Sequence, residues 1–226
     1  MITEPIWTYS GESGPADWSG LDSSYAACAV GRRQSPVDLS AAVTGERGDL
    51  GVSYHLNRLT FTDMHRTLRV TAEPGGVLTY LGEQYEFVEL HFHAPSEHAF
   101  SGAHSDLEAH FVHAAADRSL AVVGVLFSEA EGHHRVDDLL TSIPPESGGS
   151  MASERLTDIQ GLIPLSSRRY RYTGSLTTPP CTEGVEWIVM QEVQPVGRNA
   201  LAAFTDRYPA NNRPVQPLND RVITLG

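Results

Sequence analysis

The stretch Tyr85-Glu86-Phe87-Val88-Glu89-Leu90-His91-Phe92-His93 decides the reading of this chain. Its β-branched and aromatic residues predict a strand, and successive side chains of a strand point to opposite faces. Strict alternation puts Glu86, Val88, Leu90 and Phe92 on one face, mostly apolar and turned to a core. Tyr85, Phe87, Glu89, His91 and His93 share the other. Two imidazoles then stand side by side, as two ligands of one metal ion must. Leu107–Ala114 repeats the pattern. Leu107, Ala109, Phe111 and His113 alternate with Glu108, His110 and Val112. If this strand pairs beside the first, His110 completes a trio, and Glu108 on the same face is placed to orient it.

Working outward, further strands are predicted at Leu68–Ala72, Val77–Leu81, Leu120–Phe127, Tyr170–Ser175 and Val185–Val193. The 20 glycines and 14 prolines punctuate the chain between short runs, with no repeat and no low-complexity segment. Helices are few. Arg135–Ile143 is stopped by Pro144-Pro145, and Arg198–Tyr208 carries Leu201, Phe204 and Tyr208 at helical spacing. Pro144–Met151 reads as a mobile surface segment and Asn211–Asn219 as an extended, irregular tail. The expectation is one domain over residues 1–226, mainly β.

Composition narrows the function. The 226 residues carry 16 basic against 28 acidic side chains, a net charge of −12, and every basic residue is arginine. Such a surface is a poor match for a polyanion, so nucleic acid is not an expected partner. Apolar runs such as Leu120–Phe127 are too short to cross a bilayer as a helix, so no membrane partner is expected either. Met1–Pro5 shows neither a basic nor an apolar leader region. The two cysteines, Cys28 and Cys181, are too few for a four-ligand structural zinc site. Spacing alone leaves them either one long bridge or two unrelated thiols.

Three neutral imidazoles around Zn²⁺ leave the fourth tetrahedral position to water, which makes such a site catalytic rather than structural. A zinc ion so held brings the pKa of its water to about 7. A histidine-x-histidine strand is also common among ordinary half-buried histidines, and spacing goes no further than this.

The surrounding residues carry a resemblance. His91-Phe92-His93-Ala94-Pro95-Ser96-Glu97-His98, Glu108-Ala109-His110-Phe111-Val112-His113 and Ser175-Leu176-Thr177-Thr178-Pro179-Pro180-Cys181 closely resemble the α-class carbonic anhydrases, especially the bacterial branch. Trp7-Thr8-Tyr9-Ser10-Gly11, Gly14-Pro15, Trp18, Gln34-Ser35-Pro36-Val37 and Arg213-Pro214-Val215-Gln216-Pro217-Leu218 match in the same order. The resemblance implies a single domain with a central twisted, mostly antiparallel sheet of about ten strands and short peripheral helices. It implies zinc, and reversible hydration of CO₂ to bicarbonate and a proton by zinc-bound hydroxide. A weak esterase side activity and sulfonamide sensitivity come with it.

Carried over residue by residue, His91, His93 and His110 are the zinc ligands, and Glu108 fixes His110. Thr177 accepts a hydrogen bond from the hydroxide and donates its own proton to Glu97, which aims the nucleophile. Thr178 borders the same space. Val112, Val122, Leu176, Val185 and Trp187 form the small apolar site for CO₂. The resemblance pairs Cys28 with Cys181, and a disulfide implies an oxidising compartment, periplasmic or secreted. The N-terminus shows no export signal and leaves the cytoplasm open. Bacterial relatives are often dimers, which makes a homodimer one expected assembly.

Two positions depart from the family pattern. Aligned on Thr67 and Val70, the proton-shuttle position holds Arg66, and His65 lies one residue early. Arginine stays protonated near neutral pH, whereas histidine titrates there, so His65 shuttles only if the backbone is irregular at that point. Glu89 stands where glutamine is common. A related binding module without metal is the competing class, but such proteins lose zinc histidines that survive here. A different zinc hydrolase would need a His-Glu-x-x-His helix, and a serine esterase Gly-x-Ser-x-Gly; neither motif is present.

Overall fold

The alternation that predicts the strands also sorts their side chains between two apolar layers. The computed structural model describes residues 6–226. In chain order its first strands are β1 (Val43–Thr44), β2 (Leu50–Ser53), β3 (Asn57–Asp63), β4 (Leu68–Ala72) and β5 (Val77–Tyr80). Next come β6 (Glu83–His93), β7 (Ala99–Phe100), β8 (Ala103–His104), β9 (Leu107–Ala114) and β10 (Leu120–Ala130). The last are β11 (Ser150–Thr157), β12 (Arg169–Ser175), β13 (Glu183–Met190), β14 (Gln194–Gly197) and β15 (Thr224–Leu225).

Thirteen strands join one sheet. Its through-path is β1-β15-β12-β13-β10-β9-β6-β4-β3-β11; β14 joins beside β10, and β2 and β5 extend from β6. Pairing is mostly antiparallel, with β1/β15, β10/β13 and β10/β14 parallel. The mainly β expectation therefore holds, with ten strands on the path and three off it. β7 and β8 form a separate hairpin.

One face of the sheet carries Leu68, Val70, Leu90, Phe92, Ala109, Phe111, Val123 and Val125, packed with Phe204 and Tyr208. The helix α4 (Arg198–Arg207) supplies Phe204. The other face carries Val122, Leu126, Tyr172, Val185, Trp187 and Val189. Along β10, Ala121, Val123 and Val125 fall in the first layer, and Val122 and Leu126 in the second. This is the two-residue period of a strand buried on both sides.

The alternation in β6 is broken once. Phe87 pairs with His113 and Glu89 with Val112, so Val88 is an extra residue, a β-bulge. Upstream of it Tyr85 and Phe87 face the core; downstream Leu90 and Phe92 do. Glu86 and Val88 are exposed, which corrects their expected place on the buried face. The histidine end of the strand keeps its predicted phase.

Two other segments differ from expectation. The helix expected over Arg135–Ile143 is a single turn, α3, counted third after α1 (Trp18–Leu21) and α2 (Ala27–Val30), and spans Asp137–Leu140. Pro144 disfavours helical backbone at Ile143, and Asp137 spends its carboxylate on the amides of His134 and Gly197. The segment expected to be mobile ends in β11, where Ser150 and Met151 pair with Thr62 and Phe61. None of the described helices is long and apolar enough to cross a membrane.

Candidate metal centre

His91 and His110 lie directly opposite each other across β6 and β9, and His93 lies opposite Glu108. Sheet register therefore brings the three imidazoles together on one face. Their ring centroids are 5.1 Å (His91–His93), 5.2 Å (His91–His110) and 4.6 Å (His93–His110) apart. One nitrogen from each lies within 4.8 Å of the others.

The remaining nitrogens are anchored. His91 Nδ1 donates to Glu89 Oε1 at 2.9 Å, and His93 Nδ1 donates to the Asn211 carbonyl at 2.7 Å. His110 Nε2 stands 3.0 Å from Glu108 Oε1. The two hydrogen bonds fix the tautomers of His91 and His93, whose Nε2 atoms carry the lone pairs, and the Glu108 carboxylate beside His110 Nε2 favours the proton there and the lone pair on Nδ1. His93 Nε2 is out of contact with water and has no hydrogen-bond partner. A buried, unpaired ring nitrogen is costly unless something fills its lone pair. A divalent cation does so, and the donor set fits one that favours nitrogen ligands.

Electrostatics keep the histidines in the neutral form that holding a metal would require. Burial, with the neighbouring imidazoles, holds His93 well below the usual histidine range. Burial pushes His110 down to about 4 against the pull of Glu108. Both are neutral at pH 7. Glu108 is buried yet held well below the usual carboxylate range by His98 and His110. Its Oε2 accepts the amides of Glu97 (2.9 Å) and His98 (2.8 Å), and its Oε1 accepts His98 Nδ1 at 2.7 Å. His98 Nε2 in turn takes the Tyr172 hydroxyl at 2.7 Å, which meets Ser35 Oγ at 2.9 Å. His98, Glu108 and His110 are also close enough to suggest a second ion. They are already spent on one another, as a hydrogen-bonded relay that braces the first site.

Thr177 sits just past β12, in a loop closed by the amide of Leu176 on Thr182 and that of Cys181 on Thr178, both at 2.9 Å. Thr177 is buried beside Glu97. Glu97 Oε1 accepts the Arg213 amide at 2.8 Å, and Oε2 lies 3.9 Å from His110 Nδ1. Burial pushes the Glu97 carboxyl up to about 8, against the Thr177 hydroxyl and the Arg213 amide.

Val112, Val122, Leu176, Val185 and Trp187 fall in one apolar cluster on the histidine face. Val122 is opposite both Val112 and Trp187, and the Trp187 ring lies 4.8 Å from that of His110. A cleft of ≈ 280 Å³ has His91, His93, Glu89, Thr178, Arg66 and Arg69 in its wall. His65 is not part of that wall. Its backbone is left-handed (φ 66°), its amide donates to Asp63, and its ring Nδ1 meets Ser147 Oγ at 3.1 Å.

Cys28 and Cys181 are joined in a disulfide. The bridge packs against Trp18, with Trp7 and Tyr9 alongside. Arg213, 1% exposed, ties the bridge to the site. Its guanidinium donates to the carbonyls of Cys28 (3.0 Å) and Ser35 (2.8 Å) and to Gln34 Oε1 (2.9 Å). Asn211 holds Arg66 O, Phe92 O and the Ala94 amide with its side chain. The sequence reading missed the parts played by Arg213 and Asn211. The only signal was the placing of Arg213 in a matching motif; nothing marked Asn211 within an irregular tail.

A mainly β sheet that presents neutral imidazoles and their anchored acids to a cleft is the arrangement expected of one class, enzymes whose metal keeps an open coordination position. Known proteins narrow it. The family model for eukaryotic-type carbonic anhydrase matches residues 13–226. A carbonic anhydrase of Pectobacterium carotovorum is 33% identical over 218 residues, 96% of this chain and 89% of that one. Among solved structures, a hyperthermostable carbonic anhydrase from an active hydrothermal vent chimney superposes with a TM-score of 0.93 at 40% identity, covering 97% of this chain and 99% of that one. The α-carbonic anhydrase of Thermovibrio ammonificans in complex with sulfanilamide gives 0.92 at 36%, covering 96% and 98%. The chain belongs to the eukaryotic-type, or α, carbonic anhydrase family, and is an enzyme of that family.

Proposed function

We propose that this chain, acting as a single domain, hydrates CO₂ reversibly to bicarbonate and a proton, with zinc held by His91, His93 and His110. The observation that carries the reading is the convergence of three anchored imidazoles, one with a buried and unpaired nitrogen. Zinc bound there supplies a water ionised near neutral pH, a general property of carbonic anhydrases, and hence a nucleophile.

The chain's own residues do the rest. Glu89, the Asn211 carbonyl and Glu108 orient the three rings. Thr177 donates its proton to Glu97, so its oxygen only accepts. It therefore favours incoming groups that carry a proton to give and fixes their direction. A dication in the cradle and the Arg213 amide favour the ionised form of Glu97 that this needs. Val112, Val122, Leu176, Val185 and Trp187 offer uncharged CO₂ an apolar resting place beside the cradle, and Thr178 meets the polar product. The same nucleophile would give weak turnover of activated esters. The disulfide supports a periplasmic or secreted setting, where such bonds persist.

The test is zinc content by elemental mass spectrometry together with CO₂ hydration by stopped flow. One zinc per chain and fast hydration are expected, with both lost in His110→Ala. A fully zinc-loaded chain that does not hydrate CO₂ would refute the reading.

A further inference from the structure

We propose that the cavity between the loop carrying Arg32 and Arg33 and the turn carrying Asp220 and Arg221 is an anion-binding site, and that its ligand is a dianionic tetrahedral oxyanion of the phosphate class, free or carried as a monoester.

The cavity has a volume of ≈ 450 Å³, and its wall is Arg32, Arg33, Thr173, Asp220, Arg221 and Val222. It shares no residue with the wall of the histidine cleft. Three guanidinium groups stand here against the one carboxylate of Asp220, in a chain of net charge −12. The surplus of positive charge is local, and a concave wall concentrates its field. Two further carboxylates lie behind the wall rather than in it. Glu183 Oε1 accepts the Arg33 amide at 2.7 Å and Gln34 Nε2 at 3.1 Å, and Glu186 Oε1 accepts the Thr173 hydroxyl at 2.9 Å.

The frame is held before any ligand arrives, which lowers the cost of binding one. Asn219 Nδ2 donates to the Arg32 carbonyl at 2.7 Å, and Arg32 Nη2 lies 3.4 Å from Asp220 Oδ1, so loop and turn are tied together. The Arg221 guanidinium lies over the Tyr172 ring, 5.6 Å from its centroid. It donates to the carbonyls of Pro217 (2.8 Å), Leu218 (3.0 Å) and Thr173 (3.4 Å), and a guanidinium with five N–H donors keeps some in reserve. Among the described residues the Arg33 guanidinium makes no hydrogen bond and no ion pair; only its backbone amide is engaged. Planar forks match oxyanions in geometry as well as charge, and a tetrahedral one offers more acceptor edges to them than a flat carboxylate does. The cavity exceeds what one phosphate group fills. Exposed Val222 lines part of it, which leaves room for the organic group of an ester.

The experiment titrates inorganic phosphate, and separately phenyl phosphate, into the full chain by calorimetry at fixed pH and ionic strength. Sulfanilamide is present in excess, so that a bound metal takes no anion. Saturable, single-site binding is expected. Arg32→Gln and Arg33→Gln should each weaken it about tenfold, a factor worth one charge-assisted hydrogen bond, and Arg33→Lys should retain part of the affinity. Asp220→Asn removes the one carboxylate of the wall and should tighten binding several-fold, a gain that a damaged fold does not produce. Phenyl phosphate bound more tightly than inorganic phosphate identifies the monoester as the ligand; phenyl phosphate bound no more tightly identifies the free ion. No saturable binding, binding untouched by both glutamine variants, or a signal seen only when sulfanilamide is left out would overturn the proposal.

Discussion

Reducing the Cys28–Cys181 bridge should remove a large part of this protein's stability. The bonded residues are 153 apart in sequence, so the bridge closes most of the chain into a loop. Loop-closure entropy for a span of that length gives about 5 kcal/mol at 25 °C, and native bridges usually deliver about 2–5 kcal/mol of such a figure. Domains are commonly stable by only about 5–15 kcal/mol in total. The loss also loosens specific contacts, because the Cys28 carbonyl accepts Arg213 and the Cys181 carbonyl accepts Gln34. Urea unfolding with and without reductant reads the effect. At a slope of about 2–3 kcal/mol per molar, the midpoint should fall by about 1 M or more. A midpoint that stays put while thiol titration counts two free thiols would refute the reasoning.

Stability should also depend on acid through His113, which is buried on the face away from His91, His93 and His110, bonded to Tyr54 and to the Ala121 carbonyl. Burial lowers it to about 4, while an unfolded histidine titrates near 6.5. The unfolded chain therefore binds the proton first. The contribution of His113 is complete above about pH 6.5 and falls away toward pH 4, by about 3 kcal/mol; urea midpoints across that window should lose this slope in His113→Phe. Glu108→Gln removes the carboxylate anchoring His110, and zinc affinity measured by chelator competition should drop about 10–100-fold. Gly124 is opposite His110, and an added Cβ there would sit 3.0 Å from Glu108 Oε1 and 3.3 Å from Val189 Cγ2. Gly124→Ala should cost about 1–3 kcal/mol in urea unfolding and weaken zinc binding as well.

Much of this was legible in the chain. Two-residue alternation in Leu107–Ala114 put Glu108 and His110 on one face, and the register of β9 against β6 bears this out. Strand boundaries at Leu68–Ala72 and Leu107–Ala114 agree to the residue. Short or irregular pairings were not legible. β2 and β14 are only four residues each, and β11 has a register shift and mostly exposed residues; β3 does alternate, Leu59 and Phe61 between polar neighbours, and was passed over. The parts of the site that come from far along the chain were hidden for another reason. Asn211 and Arg213 work through backbone and side-chain hydrogen bonds that only the fold brings to His93 and Glu97. The choice between His65 and Arg66 was likewise a matter of backbone shape: a left-handed residue at 65 sends one side chain toward Ser147 and leaves the other in the cleft.

The extra residue at Val88 has a consequence for how variants of this gene should be compared. Losing that single codon would preserve His91, His93 and His110 and nearly every motif in an alignment. It would also leave Tyr85, Phe87, Leu90 and Phe92 in unbroken two-residue alternation, so both halves of the strand would keep their faces and only the local kink would go. A homologue one residue shorter here can therefore hold the same cradle on a regular strand, and the gap by itself is no mark against its site.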